Sequence, residues 1–203
     1  MPRTADPAVR RDLIDAAARL LADEGPAGLT TRRLASSVGA STMRIYTHFG
    51  SMSDLHTAVR RDGFDRLAAG LRAAPASADP VEALMSSGGA YLRAALAAPE
   101  LYRAMFNHRP PPGDDAGREV FELLTEGVRR CVEHRDLPDV DASRCALWAG
   151  EIWAASHGAA TLALSGVLPE DQVAVLLNDM IHRLAIGLGG EPDIARRAVD
   201  AAP

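Results

Sequence analysis

An all-α protein is predicted, and three observations on the sequence predict it. Alanine is abundant while aromatic residues make up only 4% of the 203 positions. Alanine loses least on entering a helix, whereas strands favour branched and aromatic side chains. Apolar residues recur three and four apart along most of the chain, and each such run is bracketed by Ser, Thr, Asp or Pro at its start and Gly or Pro at its end. The expected architecture is a three-helix head over residues 1–50, a connecting helix over 51–74 and a helical body over 75–203, about nine helices in all.

The elements follow in order. Asp6-Pro7 starts the first helix, because the carboxylate caps free amides and proline sits where no amide is needed. Val9, Leu13, Ala16, Ala17, Leu20 and Leu21 form its apolar stripe, and Gly25-Pro26 ends it. A second helix starts near Thr30 or Thr31, turns Leu34, Ala35 and Val38 inward, and breaks at Gly39-Ala40. Ser41 caps a third through His48, with Ile45 and Phe49 apolar and Gly50 as the stop. Ser51-Met52-Ser53-Asp54 resembles a capping box for a long fourth helix carrying Leu55, Val59, Phe64, Leu67 and Leu71.

Residues 74–78 form a short linker, and Asp79-Pro80 opens a fifth helix to about Ala97. Pro99 begins a short sixth ending near Phe106. The stretch 107–113 is the longest loop, since three successive prolines cannot continue a helix. A seventh helix runs from Asp115 to Arg135, an almost uncharged eighth from Asp141 to Ser165, and a ninth from Pro169 to Leu188 before Gly189-Gly190. Gly88-Gly89 inside the fifth costs about 1 kcal/mol per glycine relative to alanine. The pair makes room for a ligand, allows a kink, or lets another helix approach closely.

Hydrophobic residues at 47% and charged residues at 24% fit a globular chain rather than a disordered one. No apolar run is long enough to span a bilayer and the N-terminus lacks a signal-peptide core, so a cytoplasmic protein without membrane contact is expected. Cys131 and Cys145 lack metal-ligand spacing and read as free thiols in a reducing compartment. No cofactor and no metal are expected. The net charge of −5 is unevenly spread: residues 1–72 carry +3 and the rest −8, and every one of the 22 basic residues is arginine. A mildly basic head on an acidic body suits a protein whose head alone touches phosphates.

Three short helices with a tight Gly-containing turn between the second and third form a helix-turn-helix pattern. Gly39 reverses the chain through a left-handed backbone, and Leu34, Val38 and Ile45 lock the two helices together. The third helix then exposes Thr42, Met43, Arg44, Tyr46, Thr47 and His48. A rod of this width fits the major groove, where hydroxyl, imidazole and guanidinium groups reach base edges or phosphates.

The stretch from Arg11 to Leu55 resembles the DNA-binding domain of the TetR family of repressors. The matching pieces run from Ala16-Ala17-Ala18-Arg19-Leu20-Leu21 through Asp23-Glu24-Gly25 and Leu29-Thr30-Thr31-Arg32-Arg33-Leu34-Ala35. They continue with Val38-Gly39-Ala40-Ser41 and Ile45-Tyr46-Thr47-His48-Phe49. The resemblance implies DNA contact by Thr31, Arg32, Ser41, Thr42, Met43, Arg44, Tyr46, Thr47 and His48. It also implies a homodimer on a palindromic operator, gated by a small lipophilic effector. One position departs from the family: Met52 stands where a phosphate-binding lysine is usual, so Arg44, Arg32 or the fourth-helix amides are expected to make that contact.

In the body, the eighth helix is apolar on two sides. Trp148, Ile152, Ala155, Ala159 and Leu162 form one face, and Trp153, Ala160, Leu164 and His157 nearly the opposite one. Such a helix must be covered twice, which predicts that the last two helices pair with their copies in a second subunit as a four-helix bundle. Trp153, His157, Leu164, Leu177, Met180 and Leu184 are the expected dimerisation residues. Trp153, His157 and Gly158 resemble the Trp-His-Gly signature of a TetR-type C-terminal domain. The same resemblance implies an effector pocket between the fourth and eighth helices, for which Met85, Tyr91, Tyr102, Met105, Phe106, Trp148 and Glu151 are candidates.

Two other functions compete. An enzyme using Ser156, His157 and Glu151 fails because adjacent helical residues point about 100° apart, so Ser156 and His157 do not form a nucleophile–base pair. No catalytic residue is therefore assigned. A constitutive dimeric DNA-binding protein without an effector remains open from the sequence.

Overall fold

The computed structural model describes residues 6–75, 77–106, 110 and 112–190, and these residues are all-helical, with nine helices and no strand among them. Most of the predicted 107–113 loop, including His108, lies outside the described residues. The chain forms two compact units: residues 1–65 with 98–116, and residues 66–97 with 117–203. Compactness thus groups the chain differently from the serial order 1–50, 51–74 and 75–203.

In the first unit, α1 (Pro7–Gly28) starts where Asp6 accepts the Ala8 amide at 2.9 Å. It breaks at Gly25, whose φ is 67°, and resumes for one further turn. Helix α2 (Thr31–Ser37) is capped by Thr30, and α3 (Thr42–Phe49) by Ser41, each side-chain oxygen accepting an amide three residues on at 3.3 Å. Between them Gly39 takes φ +63°, the left-handed turn expected of it. A Cβ there would meet nothing within 4 Å, so Gly39→Ala is disfavoured by backbone strain alone. It is expected to lower stability by about 1–2 kcal/mol in urea denaturation, and an unchanged midpoint would refute that assignment.

Helix α4 (Met52–Arg72) begins with half of a capping box: Ser51 accepts the Asp54 amide at 3.0 Å and donates its hydroxyl to the Asp54 carboxylate at 2.6 Å. The core of this unit joins Leu13, Ile14, Ala17 and Leu21 of α1 to Leu34, Ile45, Phe49, Leu55 and Val59, with the half-buried Val38 packed against it. The short α6 (Pro99–Phe106) packs on α1 and adds Leu101 and Ala104 to that core. Burial of these side chains, each contributing roughly 1.5–3 kcal/mol when large and apolar, holds α2 and α3 on a fixed base.

A buried ion pair ties Asp114 to α4. Arg60 of α4 donates to Asp114 at 2.8 Å and to the Met105 carbonyl, and its guanidinium lies 4.8 Å from the Phe64 ring centroid. Asp114 also accepts the Ala116 amide at 2.8 Å.

The second unit is built from α5 (Pro80–Ala97), α7 (Arg118–Glu133), α8 (Ala142–Leu164), α9 (Glu170–Gly187) and the end of α4. Asp79 caps α5 and Asp141 caps α8, the latter accepting the Arg144 amide at 2.8 Å. Helix α5 packs against α7, α8 and α9. Of the readings open for Gly88-Gly89, close helix approach holds at Gly88, where a Cβ would lie 2.3 Å from Ile181 of α9. Gly89 instead lines a small cavity of about 80 Å³.

Cys131 and Cys145 are free and buried. Burial first, then the charges of Asp136 and Asp79, push the Cys131 thiol up to about 12. The folded state therefore keeps this thiol protonated where an unfolded chain ionises it. Its contribution to stability is full below about pH 9 and fades as pH rises toward about 12. Alkylation at about pH 8 is expected to spare Cys131 until the chain unfolds, and labelling of the folded protein at a free-thiol rate would contradict this.

Candidate nucleic-acid interface

The turn at Gly39 and the caps at Thr30 and Ser41 place the start of α2 beside the outer face of α3. Ile45 and Phe49 turn inward, His48 is half-buried, and Thr42, Met43, Arg44, Tyr46 and Thr47 face out. Met43 is 71% exposed and Tyr46 45% exposed, unusual for side chains of their size. The Tyr46 hydroxyl lies 3.3 Å from that of Thr31, a hydrogen bond linking the two helices across their outer faces. Thr30, Thr31, Arg32, Thr42 and Tyr46 line one shallow surface depression.

The arginines here are not equivalent. Arg33 is held by Glu24 of α1 in an ion pair. Among the described residues, the exposed Arg32 and Arg44 guanidiniums make no hydrogen bond or ion pair, so both offer all their donors to an anion. Hydroxyls divide the same way. Thr47 donates to the Met43 carbonyl at 2.9 Å, leaving its oxygen as an acceptor. Ser41 uses its oxygen on the Arg44 amide, leaving its hydrogen to donate. His48 is half-buried, and its enclosed Nδ1 has no hydrogen-bond partner among the described residues. Met52 is half-buried against the core and brings no charge to the helix start.

The expected effector residues are shared between the two units. Tyr102, Met105 and Phe106 belong to the first unit, where the Tyr102 and Phe106 rings lie 5.1 Å apart and Phe106 meets Phe64 edge-on at 5.6 Å. Met85, Tyr91, Trp148 and Glu151 belong to the second. There Tyr91 is fully buried and accepts the Trp153 indole N–H at 3.0 Å. None of the seven lines the cavity of about 310 Å³ in this unit, and Met85 lines the smaller one of about 80 Å³. Sequence reasoning missed Leu84, Leu123, Leu124 and Arg130, which do line the larger cavity. The available signal was Gly127 inside α7, where a Cβ would lie 3.0 Å from Leu84, because a helical glycine flags close approach.

Of the expected dimerisation residues, Trp153, His157, Leu164, Met180 and Leu184 are half-buried on α8 and α9. Trp153 stacks near Phe121 of its own chain, with ring centroids 6.0 Å apart. Burial lowers the pKa of His157. Leu177 is 1% exposed against its own chain and therefore belongs to the core rather than to an outer face.

Two family models meet this chain. Residues 13–59, which hold α2 and α3, match the model of bacterial regulatory proteins of the tetR family. Residues 84–184 match that of a tetracyclin repressor-like C-terminal domain, a span that includes Trp153, His157 and Gly158. The chain belongs to the TetR family. It is a DNA-binding transcriptional regulator. Over 180 residues it is 29% identical to Rv0681, an uncharacterized HTH-type transcriptional regulator of Mycobacterium tuberculosis, covering 88% of this chain and 81% of that protein. A protein of unknown function from Rhodococcus sp. RHA1 is 31% identical, with a TM-score of 0.73 over 92% of this chain and 98% of that one. PfmR, a TetR family regulator of Thermus thermophilus, shares the fold at 23% identity and a TM-score of 0.71, over 84% of this chain and 97% of that one. Among the described residues of this TetR-family regulator, no helix is long and apolar enough to cross a membrane. No group of His, Cys, Asp and Glu among them is placed to hold a metal ion.

Proposed function

We propose that this TetR-family regulator is a ligand-responsive repressor that acts in the cytoplasm as a homodimer on a palindromic operator. The observation that carries the DNA-contact assignment is the outer face of α3 and the start of α2. There Arg32 and Arg44 keep unengaged guanidiniums, and Thr31 and Tyr46 are tied together by their hydroxyls. Ser41, Thr42, Met43 and Thr47 complete the surface that enters the major groove, with His48 at its inner edge. Repression follows from occupancy, since a dimer seated on an operator excludes other proteins from it.

Pairing is supported by apolar side chains left outside on the last two helices, Leu147 at 51% and Val175 at 70% exposure. A face of this kind on α8 and α9 suits a four-helix bundle between two copies. An effector bound in the body shifts the population toward a form with lower operator affinity, by a coupling of about 1–3 kcal/mol. Selection from random duplexes is expected to enrich a palindrome, with two subunits per duplex by sedimentation. Enrichment of no sequence would refute operator recognition, and one subunit per duplex would refute the dimer. If no small molecule weakens binding to the selected duplex, the constitutive alternative stands instead.

A further inference from the structure

The cavity of about 310 Å³ lies among the end of α4, the start of α5 and the middle of α7. Its volume falls at the lower end of the range that holds small ligands, roughly 300–1,000 Å³. Leucines 71, 84, 123 and 124 make its walls apolar. Its polar lining side chains are Ser77, Ser87, Glu126 and Arg130, and their hydrogen bonds determine what a guest would meet.

Three of the four are committed within the chain. The Ser77 hydroxyl donates to Glu82 at 2.7 Å and accepts the Asp79 amide at 3.1 Å. Ser87 donates to the Leu84 carbonyl at 2.5 Å. Both carboxylate oxygens of Glu126 accept from Arg129, at 2.8 and 2.5 Å, and Arg129 also pairs with Glu133. Arg130 differs. Among the described residues its exposed guanidinium makes no hydrogen bond or ion pair. Its charge acts on the neighbouring Glu126 carboxylate without a hydrogen bond to it, so of the polar lining side chains it alone keeps donors with no acceptor, in a fork that matches a carboxylate.

We propose that this cavity is the effector site and that its ligand is an amphipathic monocarboxylate, the apolar body among the leucines and the carboxylate on Arg130. This assignment rests on the effector-gated reading above and supplies its site and ligand class. A cation of the same shape would face Arg130 directly. A neutral alcohol would gain the apolar contacts but lose the charge-assisted pair.

The test is calorimetric titration of the full chain with decanoate, decanol and decyltrimethylammonium, below their micellar concentrations, alongside mobility shifts on the selected palindrome. Decanoate is expected to bind at least roughly tenfold more tightly than decanol, and the ammonium compound not at all. Arg130→Gln, at an exposed position, should remove that preference while leaving decanol unaffected. Ala83→Phe, which fills the cavity from α5, should weaken both. Equal affinity for decanol and decanoate, unchanged decanoate affinity in Arg130→Gln, or no binding by any of the three overturns the assignment. Decanoate that binds through Arg130 without releasing DNA supports the ligand class and overturns gating. Release of DNA by decanol alone supports gating and overturns the monocarboxylate.

Discussion

Replacing Arg44 and Tyr46 together by alanine is expected to lower affinity for the selected palindrome at least roughly 30-fold, at about 1–3 kcal/mol for each side chain removed from the groove. Both side chains project from the exposed face of α3, and Tyr46 carries the hydroxyl that meets Thr31. Neither contributes to the buried set of Ile45 and Phe49, so the folded stability of the double variant should stay close to that of the parent. Arg33→Ala is the matched control. Its guanidinium is held by Glu24, and an exposed pair of that kind is worth about 1 kcal/mol or less, so operator affinity should change only a few-fold. Mobility shifts on the three proteins decide the matter. Retained binding by the double variant would show that the groove is read elsewhere.

The largest expected loss of stability follows from Asp114→Ala. The Asp114 side chain is 2% exposed and that of its partner Arg60 19%. Removing the carboxylate leaves a largely enclosed cation with the Met105 carbonyl and the Phe64 ring face but no anion beside it, and it frees the Ala116 amide as well. Breaking a buried pair from one side costs roughly 3–5 kcal/mol, and the residual exposure of Arg60 places the expectation at the lower end, about 3 kcal/mol. Asp114→Asn, which keeps one acceptor oxygen for one of the two donors, should lose less. Urea denaturation of the two variants measures this directly, and equal midpoints for Ala and Asn would show that the retained acceptor is immaterial.

What the sequence made legible is what short-range chemistry encodes. Thr30, Ser41, Asp79 and Asp141 cap helices because each oxygen reaches an amide two or three residues away. Gly39 and Gly50 turn the chain with positive φ where the helices stop. These local features build the whole of the α2–α3 pair, which is why its outward-facing residues could be named from the sequence. The body is different, because its packing joins residues far apart along the chain. Nothing near Tyr91 announces that its hydroxyl accepts from Trp153, 62 residues on. Met85, Tyr91 and Met105 look like ligand residues by type, yet they are almost wholly buried. Helix α6 reads as part of the body by position and packs on α1 instead. The cavity itself arises partly from small residues such as Ala74, Ala83 and Gly127, and the space they leave has no signature in periodicity.

A hydroxyl-radical footprint of the protein on its selected palindrome tests the central claim most directly. Two protected tracts are predicted, their centres one helical turn or roughly 34 Å apart, and both should vanish together in the Arg44→Ala/Tyr46→Ala variant. A single protected tract, or two that survive the loss of both side chains, would contradict a twofold reader that grips DNA through α3.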